Sequence, residues 1–162
     1  MVLDTISTLF SSLGTAANTA KAFRDLLQKN KGEVRLLLEE MKKNSTLSWL
    51  VVERESEPQK IIPQLSTKAY DRLLEKGFNF NDLSPRKRIV RGNANLEDSD
   101  LSSFIGKDVA NLVEGIYDRI NEMQLVLQVD PDNQRIDWNR RVINLHKRIL
   151  LLMFHLKGWT GQ

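Results

Sequence analysis

The chain is predicted to be all-α: an antiparallel four-helix bundle with a long, partly helical crossover between helices 2 and 3. Apolar residues recur at alternating steps of three and four along four long segments. Strong turn chemistry separates the first helix from the second, at Asn30-Lys31-Gly32, and the third from the fourth, at Asp130-Pro131-Asp132-Asn133. The length of 162 residues suits one domain, residues 1–162, able to bury roughly 70% of its unfolded surface. Helices are expected at about 3–28, 33–54, 66–76, 101–128 and 137–156.

The first helix carries Ile6, Leu9, Leu13, Ala16, Ala20, Phe23 and Leu27 on one side. Its other side is polar but neutral, and no charge occurs from Thr5 to Ala20 in a chain that is 28% charged. Gly14, Ala16, Ala17 and Ala20 permit close helix–helix approach, which makes Leu9, Leu13, Ala16, Ala20 and Phe23 the candidate interaction residues. The second helix begins near Glu33 and places Val34, Leu37, Leu38 and Met41 on one face. Asn44-Ser45-Thr46 weakens its middle within the single span of 33–54, while Glu39-Glu40 reads as a solvated face pairing with Lys42 and Lys43.

In the crossover, Pro58 and Pro63 bracket Ile61-Ile62, which is expected to be extended or turn-like. Ser66 opens a short helix, with Leu65 and Tyr70 spaced as a hydrophobic staple. Phe78, Phe80 and Ile89 should anchor the remainder, because a structureless loop of this length is uncommon. The third long helix has a stripe of Ile105, Val109, Leu112, Ile116, Ile120, Met123 and Leu127, with Ser99 or Asp100 as N-cap and Gly106 as a soft spot. In the fourth, Trp138, Val142, Leu145, Ile149, Leu152 and Leu156 keep the rhythm, and Leu150, Leu151, Met153 and Phe154 widen it. Such a segment belongs in the middle of a bundle.

Composition narrows function. Net charge is +3, a weak bias, so nucleic acid is not the expected partner. The absence of cysteine excludes disulfides, thiol catalysis and cysteine-ligated metal. Asp4 stands where a secretory leader would carry a base, and the longest apolar run, Ile149 to Phe154, has six residues. A cytoplasmic location is expected, with membrane association as the alternative.

No constellation for chemistry emerges. His146 and His155 are nine residues apart on one helix and point to opposite sides; His155 is expected as a C-terminal residue favoured by the helix dipole. Gly106-Lys107 is followed by Asp108, which breaks a phosphate loop, and Ser103 stands where a calcium loop beginning at Asp98 needs glycine. No catalytic residue, cofactor, metal or small-molecule substrate is therefore expected. Two basic clusters remain: Arg86, Lys87, Arg88 and Arg91 on a loop, and Arg135, Arg140, Arg141, Lys147 and Arg148 along the last helix. A crossover folded over that helix would merge them into one surface for anionic headgroups or an acidic partner. Glu97, Asp98 and Asp100 would otherwise balance them as solvated charges.

Two resemblances bear on these residues. Arg141-x4-His146 on a helix of an all-α domain resembles the motif of HEPN ribonucleases. That resemblance implies paired Arg and His side chains acting on RNA at a dimer cleft, although Val142 replaces the polar residue that commonly follows the arginine. In outline, the charge-poor first helix, helical bundle and basic clusters look like the HeLo and mixed-lineage-kinase type of cell-death domain. That likeness implies a first helix that enters the bilayer, and it rests on architecture alone. The leading expectation is a non-catalytic helical module acting through protein contacts, with self or another protein as partner.

Overall fold

The computed structural model describes residues 16–90 and 100–158, with side-chain surroundings from Thr19 to Val90 and from Leu101 to Gly158. Leu9, Leu13 and Arg91 lie outside the described residues, and the side chain of Ala16 is not placed. The helices are α1 (Ala16–Lys29), α2 (Gly32–Arg54), α3 (Pro58–Ile61), α4 (Lys68–Glu75), α5 (Val109–Val129) and α6 (Trp138–Leu156). Short 3-10 turns cover Ile62–Gln64, Phe80–Leu83 and Asp100–Phe104. The fold is all-helical: the described residues contain no strand, only an isolated antiparallel bridge between Arg88 and Asp108.

The turn after α1 forms as its residues dictate. The Asn30 amide donates to the Leu26 carbonyl at 2.8 Å, and Gly32 takes a φ of +61°, where a Cβ would be strained. The buried stripe of α1 is Ala22, Phe23 and Leu26, whereas Ala20 is exposed. The expected stripe is thus rotated by about one residue, and α1 lies on α2 and α6 with Phe23 in the core.

Helix α2 runs unbroken through Asn44 over the expected span. Ser48 and Thr46 return their hydroxyls to the carbonyls of Asn44 and Lys42 at 2.7 and 3.0 Å, so these polar residues are satisfied inside the helix. The helix ends at Glu55, whose left-handed φ of 54° turns its N–H back to the Leu50 carbonyl.

The crossover is more helical than the prolines suggested. Pro58 occupies the first turn of α3, where a missing N–H costs nothing, and Ile61 and Ile62 are buried in helical rather than extended backbone. The staple residues Leu65 and Tyr70 are both buried. Tyr70 stacks on Tyr117 with centroids 4.2 Å apart and on Phe80 at 5.1 Å; Phe78 meets Phe80 edge-on at 5.3 Å. Ile89 is buried, as its anchoring role requires.

Helix α5 starts at Val109, not near residue 101. Gly106 turns the chain at φ +80°, and residues 106–109 pair with the 87–89 limb instead of continuing a helix. The ties are Gly106 N–H to Ile89 O at 2.9 Å, Ile89 N–H to Lys107 O at 2.8 Å and Val109 N–H to Lys87 O at 2.8 Å. Asp108, and neither Ser99 nor Asp100, holds the N-cap position.

Helix α6 is the hub, with every residue from Ile149 to His155 buried. It touches α1, α2, α3, α5 and the Asp100–Phe104 turn. Contacts of Arg141 with Glu122 and of Arg148 with the Gly115 carbonyl show that α5 and α6 run in opposite senses. Crossover segments pack on α2 and α5: α4 lies on α2, the turns at 62–64 and 80–83 on α5. Gln124 of α5 donates to the Ile62 and Leu65 carbonyls at 3.1 and 2.9 Å, tying the crossover in place. Apolar side chains from all of these elements join one buried cluster.

Candidate functional site

The most densely bonded polar cluster lies between α2 and α4. Glu40, expected on a solvated face, is buried. Its carboxylate accepts from the Ser66 hydroxyl at 2.9 Å, the Ala69 N–H at 2.7 Å and the Tyr70 N–H at 3.2 Å. The first-turn amides of α4 have no intrahelical acceptor, so a carboxylate from a neighbouring helix caps them. Glu39, on the outer side, pairs with Arg35 at 3.2 Å. The Tyr117 phenol is buried close to Glu40 without a hydrogen-bond partner; burial first, and then the nearby Glu40 charge, hold its pKa well above the ordinary value. This cluster is fully engaged in tying helices together.

Both histidines are buried. One face of the His146 ring meets α2, where a ring nitrogen bonds the Ser45 backbone, and Nδ1 has no partner. Desolvation lowers its pKa to about 4, against the opposing pull of that hydrogen bond, so the ring is neutral near pH 7. Arg141 points elsewhere, to Glu122 of α5 at 3.3 Å, with its guanidinium 5.9 Å from the Trp138 ring centroid. The two residues of the HEPN-like spacing therefore face different helices within the chain. His155 stands in the last turn of α6, as expected, but it is buried: the Ser84–Arg86 segment covers it, and its Nε2 donates to the Arg86 carbonyl at 2.7 Å beside the Ser84 hydroxyl at 3.3 Å. Burial is the main cause of its lowered pKa.

The two basic clusters meet the chain at separate points along α6 and at the turn before α5, where Arg88 bonds the Gly106 carbonyl and Arg148 lies over the Phe104 ring. Arg86 sits against His155, fifteen residues from Arg140, a span of about 22 Å along α6. Several of these cations are engaged locally. Lys87 donates to the Asn81 carbonyl at 2.9 Å, Arg88 to the Gly106 carbonyl at 2.9 Å, and Arg148 to the Gly115 carbonyl at 3.1 Å. Arg148 also lies over the Phe104 ring at 5.1 Å, which accounts for part of its charge being sheltered. Arg140 is exposed, and Lys147 is half-buried between the two ends. Among the described residues, no three His, Asp or Glu side chains group as metal ligands, and no helix is long and apolar enough to cross a membrane.

Two surface features were not singled out from the sequence. The outer face of α5 is polar and exposed at Asn111, Glu114, Asp118, Asn121 and Glu122, then turns apolar at Leu125 and Val129. These two are 62% and 75% exposed and one helical turn apart. They stand beside a broad cleft lined by Pro63, Leu127, Gln128 and Pro131. Their signal was present as apolar residues left outside the stripe ending at Leu127. The second feature is a small cavity where α1, α2 and α6 meet, lined by Phe23, Trp49 and His146 among others.

The chain matches no known protein-family model, no curated protein and no solved structure.

Proposed function

We propose that the protein is a non-catalytic helical module that works through protein contacts, self-association among them, using the apolar end of α5. The observation that carries this reading is the exposure of Leu125 and Val129 on a face that is otherwise polar. Burying such a pair against a partner removes apolar area from water, whereas leaving it exposed gains nothing for the folded chain. Of the described members of the α1 interaction set, Phe23 is buried inside its own chain and Ala20 is exposed.

The same reading takes α1, α2, α5 and α6 as a four-helix bundle with residues 55–108 as crossover. Support comes from the contacts of α6 with the other three long helices and from the opposite senses of α5 and α6.

The experiment is sedimentation equilibrium on the wild type and on the double variant Leu125→Glu, Val129→Glu. The wild type should gain mass with concentration, and the variant should remain monomeric with unchanged melting. Equal mass for both proteins at every concentration contradicts self-association through this surface.

A further inference from the structure

The groove between α2 and α4 encloses about 550 Å³ and carries an unbalanced charge. Its carboxylates are all engaged within the chain: Glu33 by Lys76 at 2.5 Å, Glu39 by Arg35 at 3.2 Å, and Glu40 by Ser66 and the first-turn amides of α4. Its bases, Lys43, Lys68 and Arg72, are exposed and pair with no acid among the described residues. Leu36, 45% exposed, and the half-buried Ala69 give the same groove an apolar lining. Unpaired cations beside an exposed leucine suit an occupant that is both apolar and acidic.

The outer face of α5 has that composition. Glu114 and Asp118 are exposed, one turn apart and without an ion pair among the described residues. Like charges at this spacing repel until a cation neutralises them. Leu125 and Val129 continue the same face. The spacing matches as well: Asp118 and Leu125 are seven residues apart on α5, as Leu36 and Lys43 are on α2, about 10 Å in either helix. An α5 from a second molecule, laid antiparallel to α2, sets Leu125 on Leu36 and Asp118 on Lys43 in one register. Because α4 begins opposite Asn44 and ends with Lys76 at Glu33, Lys68 stands at the Lys43 end, beside that carboxylate.

From these matched surfaces, we propose that a second copy of this chain is the partner of the α5 face and receives it in the groove between α2 and α4. The pairing rests on the reading of Leu125 and Val129 as a contact surface and names what they meet. Since the two surfaces differ, one molecule can offer its α5 to one neighbour and its groove to another.

Sedimentation equilibrium on the full chain tests it, with the variant Lys43→Glu, Arg72→Glu. Neither base is bonded to an acid, so melting should be unchanged. The wild type should gain mass with concentration, and its association should weaken on the order of tenfold as salt rises from about 50 to 500 mM. The groove variant should stay monomeric. Mixed with the Leu125→Glu, Val129→Glu chain, which keeps an intact groove, it should form a one-to-one complex that neither variant forms alone. A groove variant that associates as the wild type does, or a mixture without the complex, overturns the pairing and leaves the α5 contact standing. A wild type that is monomeric at every concentration removes self-association through α5 and this pairing together.

Discussion

Asn44 of α2 holds Ser66 of the crossover by both backbone groups, donating to its carbonyl at 2.8 Å and accepting its N–H at 2.9 Å. One helical turn away, Glu40 caps the amides that follow Ser66. Two polar residues on one face of α2 thereby set where α4 begins, and α4 in turn places Tyr70 against Tyr117.

Replacing Asn44 with Ala leaves both Ser66 backbone groups without this side chain and should cost about 2–3 kcal/mol. Glu40→Ala should cost about 1–3 kcal/mol through the lost cap, and Glu40→Gln less. Urea denaturation measures both, and amide exchange at Ala69 and Tyr70 should accelerate in each variant.

Tyr117→Phe should be neutral or slightly stabilising, because it removes a buried hydroxyl that has no partner while keeping the stacked ring. Thermal melting decides it. A loss beyond about 1 kcal/mol would mean that the hydroxyl contributes a bond of ordinary strength.

Stability should fall as pH drops from 7 to 5. The folded pKa of His146 is about 4, below the unfolded value of 6.5, so the unfolded chain binds more protons across this window. This contribution is fully present above pH 6.5, is lost as pH falls and levels off below pH 4. His146 alone should account for about 2 kcal/mol between pH 7 and 5. His155 is shifted in the same direction and adds to the slope. Urea midpoints at the two pH values provide the check, and His146→Gln should flatten most of the dependence.

The contact reading predicts that anionic vesicles keep their dye when the full chain is added. Phe23 and Leu26 face the core, and Lys21 and Arg24 face outward, in the described part of α1. Dye release that disappears on deletion of residues 1–20 would replace this reading with the membrane-active one.

Much of the fold was legible because apolar spacing reports directly on burial. Helix α6 keeps its rhythm from Trp138 to Leu156, and its widened second half is buried all round. Phe80 and Ile89 are buried anchors, as expected of a crossover too long to be structureless. What escaped the sequence is polar burial. Glu40 and Asn44 find their partners 22 to 30 residues away, and apart from the Ser66 hydroxyl these are backbone atoms that leave no trace in residue type. The start of α5 was hidden for a related reason: the bridge to residues 87–89 competes with helix at Gly106, and only the tertiary pairing decides between them. Leu125 and Val129 were readable as surplus apolar residues, since Leu127 had already closed the buried stripe.

The most direct test of contact through the end of α5 is the dilution of a ¹⁵N-labelled sample followed by amide chemical shifts. The account predicts shifts that change with concentration and cluster around Leu125 and Val129, leaving the buried residues of α1 unmoved. Spectra that do not change on dilution, or changes confined to α1, would contradict it.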